Sequence, residues 1–344
     1  MITSKDKILF ISPTTEDYLA ISILHGLKSI LPSNRIIDFP KYASAYKTGC
    51  SSSLYGKGFT IFGLLDDDEV DRWHILEKIY NEEFSLIIFS DIHRTFGTYI
   101  QLLPYLNYKN TIVLDGADTP QPYPYAGAWW RYFPYWFIPK AHTRFLYFKR
   151  EWTPETIWNL WYQLFPKWLC QYFPEHKNFR PISFSIPKEK IIQDMPRKTK
   201  LFPRHIVDPE VASNVTDSMT KYAFDSEDDY YADLQASKFG ITTKRAGWDC
   251  LRHYEIAANA CVPCFRDLDK KPLTSAPHGL DESNCIIYRD YNDLTNKINA
   301  LSEEEYQKLQ HSSLEWAKAN STIERAKQLL SSLNFDPLDE YKLN

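Results

Sequence analysis

The sequence predicts an α/β protein of two domains, each built on a parallel sheet, and three observations predict it. Short apolar runs alternate with amphipathic helical segments in both halves, the pattern of βαβ units. The runs stop at polar turns such as Ser90-Asp91 and Asp115-Gly116. The chain has 344 residues, 44% of them hydrophobic, which suffices for two ordinary cores.

In the first half, residues 7–12 read as a buried strand, broken by 13–17. Residues 18–30 carry Leu19, Ile23, Leu24, Leu27 and Ile30 at helical spacing. A second strand is expected at 35–39, then a helix over 66–80 whose acidic start suits the positive end of its dipole. Strands follow at 86–89 and 111–114. Ligands of such sheets bind beyond the carboxyl ends of the strands, which puts 12–17, 90–94 and 115–119 on the ligand side. Thr153-Pro154-Glu155 opens a helix reaching about residue 165. Residues 182–186 read as the last strand of this half and 187–200 as a linker.

The second half repeats the alternation, with strands at 222–224, 238–243, 261–265 and 285–288 and helices at 226–237 and 249–259. The end is helical, opened by capping boxes at Ser302/Glu305 and Ser321/Glu324. The expected division is 1–190, 198–320, and a final segment 321–344.

Composition excludes several classes. A net charge of −4 without a basic stripe gives no reason to expect nucleic acid as a partner. The apolar run at 8–11 is too short for a signal-peptide core, and nothing approaches the ~20 residues of a membrane span, so a cytoplasmic protein is expected. Six scattered cysteines read as reduced thiols, and Cys261 and Cys264 as buried ones rather than a redox pair. There is no Walker sequence and no Gly-x-Gly-x-x-Gly. Asp66-Asp67-Asp68 could suggest a metal but reads better as a helix start, so neither metal nor cofactor is expected. Aromatic residues reach 15% and crowd between Tyr123 and Phe173. They form either a platform for sugar rings or a membrane surface, or a core or homodimer contact.

The chemistry concentrates between residues 231 and 265, read as helix, strand, polar loop, helix, strand. The loop holds Lys244, Arg245 and Gly247 at a strand's carboxyl end, and Asp249 can cap the next helix. Free N–H groups at that helix start, with both cations, would make an anion site. Arg252 and Glu255, three apart, share a helix face: a cation for a diphosphate and a carboxylate for ribose hydroxyls.

This stretch resembles the nucleotide-binding region of GT-B glycosyltransferases, and most closely the exostosin-like pattern of Arg-x-x-Glu, a small-residue run, then a small or Cys residue, an apolar residue and Pro. Arg252, Glu255, Ala257, Ala258, Cys261, Val262 and Pro263 match it over residues 225–290. Gly247 stands where many relatives have an earlier glutamate, and Ala260 where glycine is usual. The resemblance implies two Rossmann-like domains whose parallel sheets face a cleft, with the last helix packing back on the first domain. It implies that Glu255 contacts the ribose of a nucleotide-sugar donor, held also by Lys244, Arg245, Gly247 and Arg252. His93 and Asp118, following strands on the ligand side, are the expected catalytic pair. The expected acceptor is a glycan or a lipid-linked molecule, in surface polysaccharide synthesis, with possible peripheral contact to the inner membrane face. A non-catalytic carbohydrate- or membrane-binding protein on the same fold is the alternative.

Overall fold

The computed structural model describes residues 7–123, 140–153, 166, 169, 177–221 and 223–333. Its first sheet is wholly parallel, in the order β2-β1-β3-β4-β5-β6. The strands are β1 (Ile8–Ile11), β2 (Ile36–Phe39), β3 (Leu86–Phe89), β4 (Thr111–Asp115), β5 (Leu146–Lys149) and β6 (Phe179–Pro181). Helices α1 (Tyr18–Ile30), α2 (Ile75–Tyr80), α3 (Ile92–Leu102) and α4 (Ala141–Arg144) connect them. Alternate residues of β1 enter two cores, Ile8 and Phe10 one and Leu9 and Ile11 the other, so both faces of the sheet are covered. That is why this strand is apolar throughout rather than alternating.

After α5 (Pro209–Asn214) and α6 (Glu227–Ala236), the second half forms the parallel sheet β7-β8-β9: Phe239–Thr243, Val262–Arg266 and Ile286–Tyr288. Helix α7 (Leu251–Ala258) joins β7 to β8, and α8 (Tyr291–Ala300), α9 (Glu303–Ala319) and α10 (Thr322–Ser332) follow. Ser302 opens α9 with the reciprocal capping box read from the sequence. Helix α10 lies against α1, and Gly26 permits the approach. A Cβ there would sit 2.0 Å from the Thr322 carbonyl oxygen. His25 Nδ1 meets Thr322 Oγ1 at 2.9 Å across the same contact.

Three expectations fail for identifiable reasons. Residues 66–70 are not helical, and α2 begins only at Ile75. The aspartates there pair with cations instead: Asp66 with Lys47 (2.6 Å), and Asp68 with the remote Lys28 (2.5 Å) and the nearby Arg72 (2.6 Å). The run is therefore not a helix start, and among the described residues no group of three or more His, Cys, Asp or Glu side chains is placed to hold a metal ion. Residues 182–186 do not join the first sheet, because their backbone serves the second half. Phe184 N–H donates to Asp249 Oδ2 (2.8 Å) and Ile186 N–H to the Asn320 carbonyl. Residues 223–224 are not a strand; Phe224 packs on Tyr230. The helix read at 153–165 and most of the aromatic segment lie outside the described residues. Among the described residues, no helix is long and apolar enough to cross a membrane.

Candidate active site at the cleft

The carboxyl ends of the strands of the first sheet lead into a cavity of about 640 Å³. Three neighbouring strands deliver polar loops: Thr15–Tyr18 after β1, Asp91, His93 and Arg94 after β3, Gly116–Asp118 after β4. Asp17 caps α1, its Oδ1 accepting from Ala20 N–H at 2.7 Å. Burial, and then the neighbouring charge of Asp91, push its carboxyl up to about 6. Asp91 caps α3 in the same way, accepting from His93 N–H at 3.0 Å, and pairs with Arg94.

His93 Nε2 faces Asp115 Oδ1 at 3.1 Å. Asp115 is fully buried and also accepts from Lys149 Nζ (2.8 Å) and the Tyr147 hydroxyl. Burial alone would raise its carboxyl, but the Lys149 ammonium and His93 outweigh that and hold it far below the usual carboxylate range. His93 and Asp118, the expected catalytic residues, thus share a cavity without contacting each other. Asp118 lines the same cavity but is taken by the Arg150 guanidinium, because Arg150 is buried and needs a counter-charge.

A second cavity of about 440 Å³ joins the first at Tyr18 and Tyr55. Arg245, Arg252 and Glu255 line it, with His205, Lys221 and, from the first half, Lys57. Glu255 Oε1 accepts from the Thr60 hydroxyl (2.5 Å) and Oε2 from Tyr230 (2.9 Å). Burial raises its carboxyl despite those donors. Thr60 belongs to the loop after β2, and it reaches across the cleft in a left-handed backbone conformation, φ 67°.

The loop after β7 differs from its sequence reading. Lys244 is not on the cavity wall; its ammonium lies 5.0 Å from the centre of the Trp248 ring, where the indole face attracts it. The N–H groups of Trp248 and Asp249 already donate to Glu151 Oε1, at 2.8 and 3.1 Å. Those amides are therefore not open to an external anion. Gly247 is not a wall residue either: its bare Cα lets the loop close on Glu151 and Asp118. Asp249 does not cap the helix. Cys250 holds that position, while the buried Asp249 accepts from Phe184 N–H and the Tyr254 hydroxyl.

The chain superposes on solved glycosyltransferases along nearly its whole length. HepE of Anabaena, in complex with UDP and glucose, matches with a TM-score of 0.51 over 96% of this chain and 99% of that one, at 10% identity. A glycosyltransferase of Rickettsia africae matches with a TM-score of 0.54 over 96% and 98%, also at 10% identity. The fold is GT-B. No protein-family model matches the sequence, and no curated protein resembles it in sequence.

The residues that knit the two GT-B halves together were not legible in the sequence. Arg150 donates to Gly116 O (2.9 Å), Asp249 O (2.8 Å) and Glu151 (3.0 Å), and its guanidinium lies 4.5 Å from the Phe184 ring centre. Asp17 had a local signal, a carboxylate directly before a helical run. Arg150, Glu151 and Thr60 had none.

Proposed function

We propose that this chain transfers a sugar from a nucleotide-sugar to an acceptor hydroxyl, the donor on the cationic side of the cleft and the acceptor on the carboxylate side. One observation carries the reading. Glu255, a buried carboxylate suited to pentose hydroxyls, shares a cavity with Arg245, Arg252 and Lys221, which suit a diphosphate. The UDP and glucose in the HepE crystals favour a uridine donor here.

Transfer breaks the anomeric bond to the diphosphate and forms one to the acceptor oxygen, whose proton must leave. In an inverting displacement His93 takes that proton. With Nε2–H directed at the ionised Asp115, the lone pair on Nδ1 is the one left for the acceptor. Arg245 and Arg252 stabilise the charge growing on the leaving diphosphate. The acceptor is a glycan or a lipid-linked saccharide. Tyr55, exposed and shared by both cavities, offers a ring face on which a sugar can stack.

A thermal-shift series with UDP, GDP, ADP and CMP tests the donor side. The expected result is stabilisation by UDP that disappears in Glu255→Ala. Indifference to all four nucleotides would overturn the reading. One observation favours a non-catalytic binding protein, since both Glu255 oxygens already accept hydrogen bonds. Release of UDP from UDP-sugar by the purified chain separates an enzyme from that alternative.

A further inference from the structure

A third cavity, of about 570 Å³, shares no lining residue with the cleft. It lies between β5 and β6 of the first half and helices α9 and α10 of the second, a volume typical of a small-molecule site. Phe148, Ile182, Trp316 and Leu329 give it apolar walls. Neutral Asn320, Gln328, Ser331 and Ser332 line it beside Arg180, His278 and Arg325, and among the described residues no aspartate or glutamate does.

Arg325 is the unusual member. Its side chain belongs to a residue only 7% exposed, and its Nη atoms donate to two neutral oxygens, those of Gln328 and Asn320. Its Nε–H has no hydrogen-bond partner, and neither group that its Nη atoms meet is a carboxylate. Nε2 of His278, on the same cavity, is also without one. Burying a guanidinium with no counter-charge is costly, and proteins ordinarily avoid it by pairing. Burial pulls the Arg325 guanidinium down, and neither Tyr254 nor Asp249, whose carboxylate is already engaged by Phe184 and Tyr254, offsets it.

We infer that this cavity binds an oxyanion carried on an apolar body, the hydrocarbon against Phe148, Ile182 and Leu329 and the anionic head against Arg325. A guanidinium matches carboxylate and phosphate alike, so a fatty acid and an isoprenoid phosphate are the two sources of this chemistry. The assignment does not depend on the glycosyltransferase reading, since none of its residues serves the cleft.

Calorimetric titration of the full chain tests it with four probes: dodecanoate, farnesyl phosphate, dodecanol and inorganic phosphate. The expected result is that one or both anionic amphiphiles bind at least about tenfold more tightly than dodecanol or phosphate, and which one does names the source. Arg325→Met should lower that affinity by about tenfold or more while the protein keeps or gains thermal stability, because an unpaired buried charge is replaced by an apolar chain of similar length. Ser332→Trp, filling the cavity from the last turn of α10 with Arg325 intact, should also abolish binding. Equal binding of dodecanol and dodecanoate overturns the inference, as does binding unchanged in both variants or absent for every probe. Unfolding of Arg325→Met would make the guanidinium a structural group and overturn it as well.

Discussion

The two sides of the cleft balance their charges differently. On the first side the carboxylates of Asp91, Asp115 and Asp118 are each matched by a cation on the same side, Arg94, Lys149 and Arg150. On the second side Arg245, Arg252 and Lys221 share one wall carboxylate, Glu255, and Arg245 and Lys221 stand exposed at its mouth. Carboxylates paired in this way have their counter-charge whether or not a ligand is present. A wall with excess cation acquires its counter-charge from what it binds. The difference teaches where chemistry and where affinity should reside.

The largest effect should come from cutting the joint between the sides. Arg150→Ala leaves Glu151 and Asp118 without their buried counter-charge, and chemical denaturation should show a loss of about 3–5 kcal/mol. Within the first side, His93→Gln should lower kcat by at least about 100-fold and leave donor KM little changed, since it removes a proton acceptor and no donor contact. If donor KM moves instead, the division between the sides is wrong. Glu255→Ala should do the reverse, raising donor KM by about tenfold through loss of a hydrogen-bonding carboxyl group with a smaller change in kcat. Gly247→Ala probes the seam: its Cβ would meet Glu151 Oε1 at 2.5 Å and Asp118 Oδ1 at 2.8 Å. Denaturation should show a cost of about 1–3 kcal/mol.

The smallest effect concerns histidine. His93 has a carboxylate partner, whereas burial pushes His253 down to about 3 and His278 to about 4. Both are neutral in the folded chain, and an unfolded histidine titrates near ~6.5. The unfolded state therefore binds more protons below that value, so their contribution to stability is complete above it and lost as pH falls. Each accounts for at most about 1.4 kcal/mol per pH unit. His278→Phe should consequently lose its disadvantage, or gain an advantage, over the natural chain as denaturation is measured from pH 6.5 down toward 4.

Much of the framework was legible because its signals are local. The apolar spacing of residues 18–30 gave α1 with its observed bounds, and Arg252 and Glu255 were brought to one cavity by their spacing on α7. What escaped depends on partners remote in the chain. Asp68 looks like a helix start until Lys28, 40 residues away, is seen beside it. β5 was hidden because its sequence, Leu-Tyr-Phe-Lys, continues an aromatic stretch and ends in a lysine whose buried partner, Asp115, lies on another strand. The loop after β7 misled for a related reason. Its amides do bind a carboxylate, but the carboxylate belongs to Glu151 of the other half.

The reach of Thr60 to Glu255 ties the aperture between the halves to protonation. Its hydroxyl is one of two donors holding a carboxylate that burial already disposes to keep its proton, and it comes from 195 residues away. Parting the halves at this point withdraws that donor and admits water to Glu255 at once. Losing the donor alone would make the group less acidic, but relief of burial is the larger effect, so the group is more acidic in the parted form and lower pH favours the shut form. Entry of a ligand into the second cavity should therefore quicken as the solution becomes more alkaline, even where the affinity finally reached is the same.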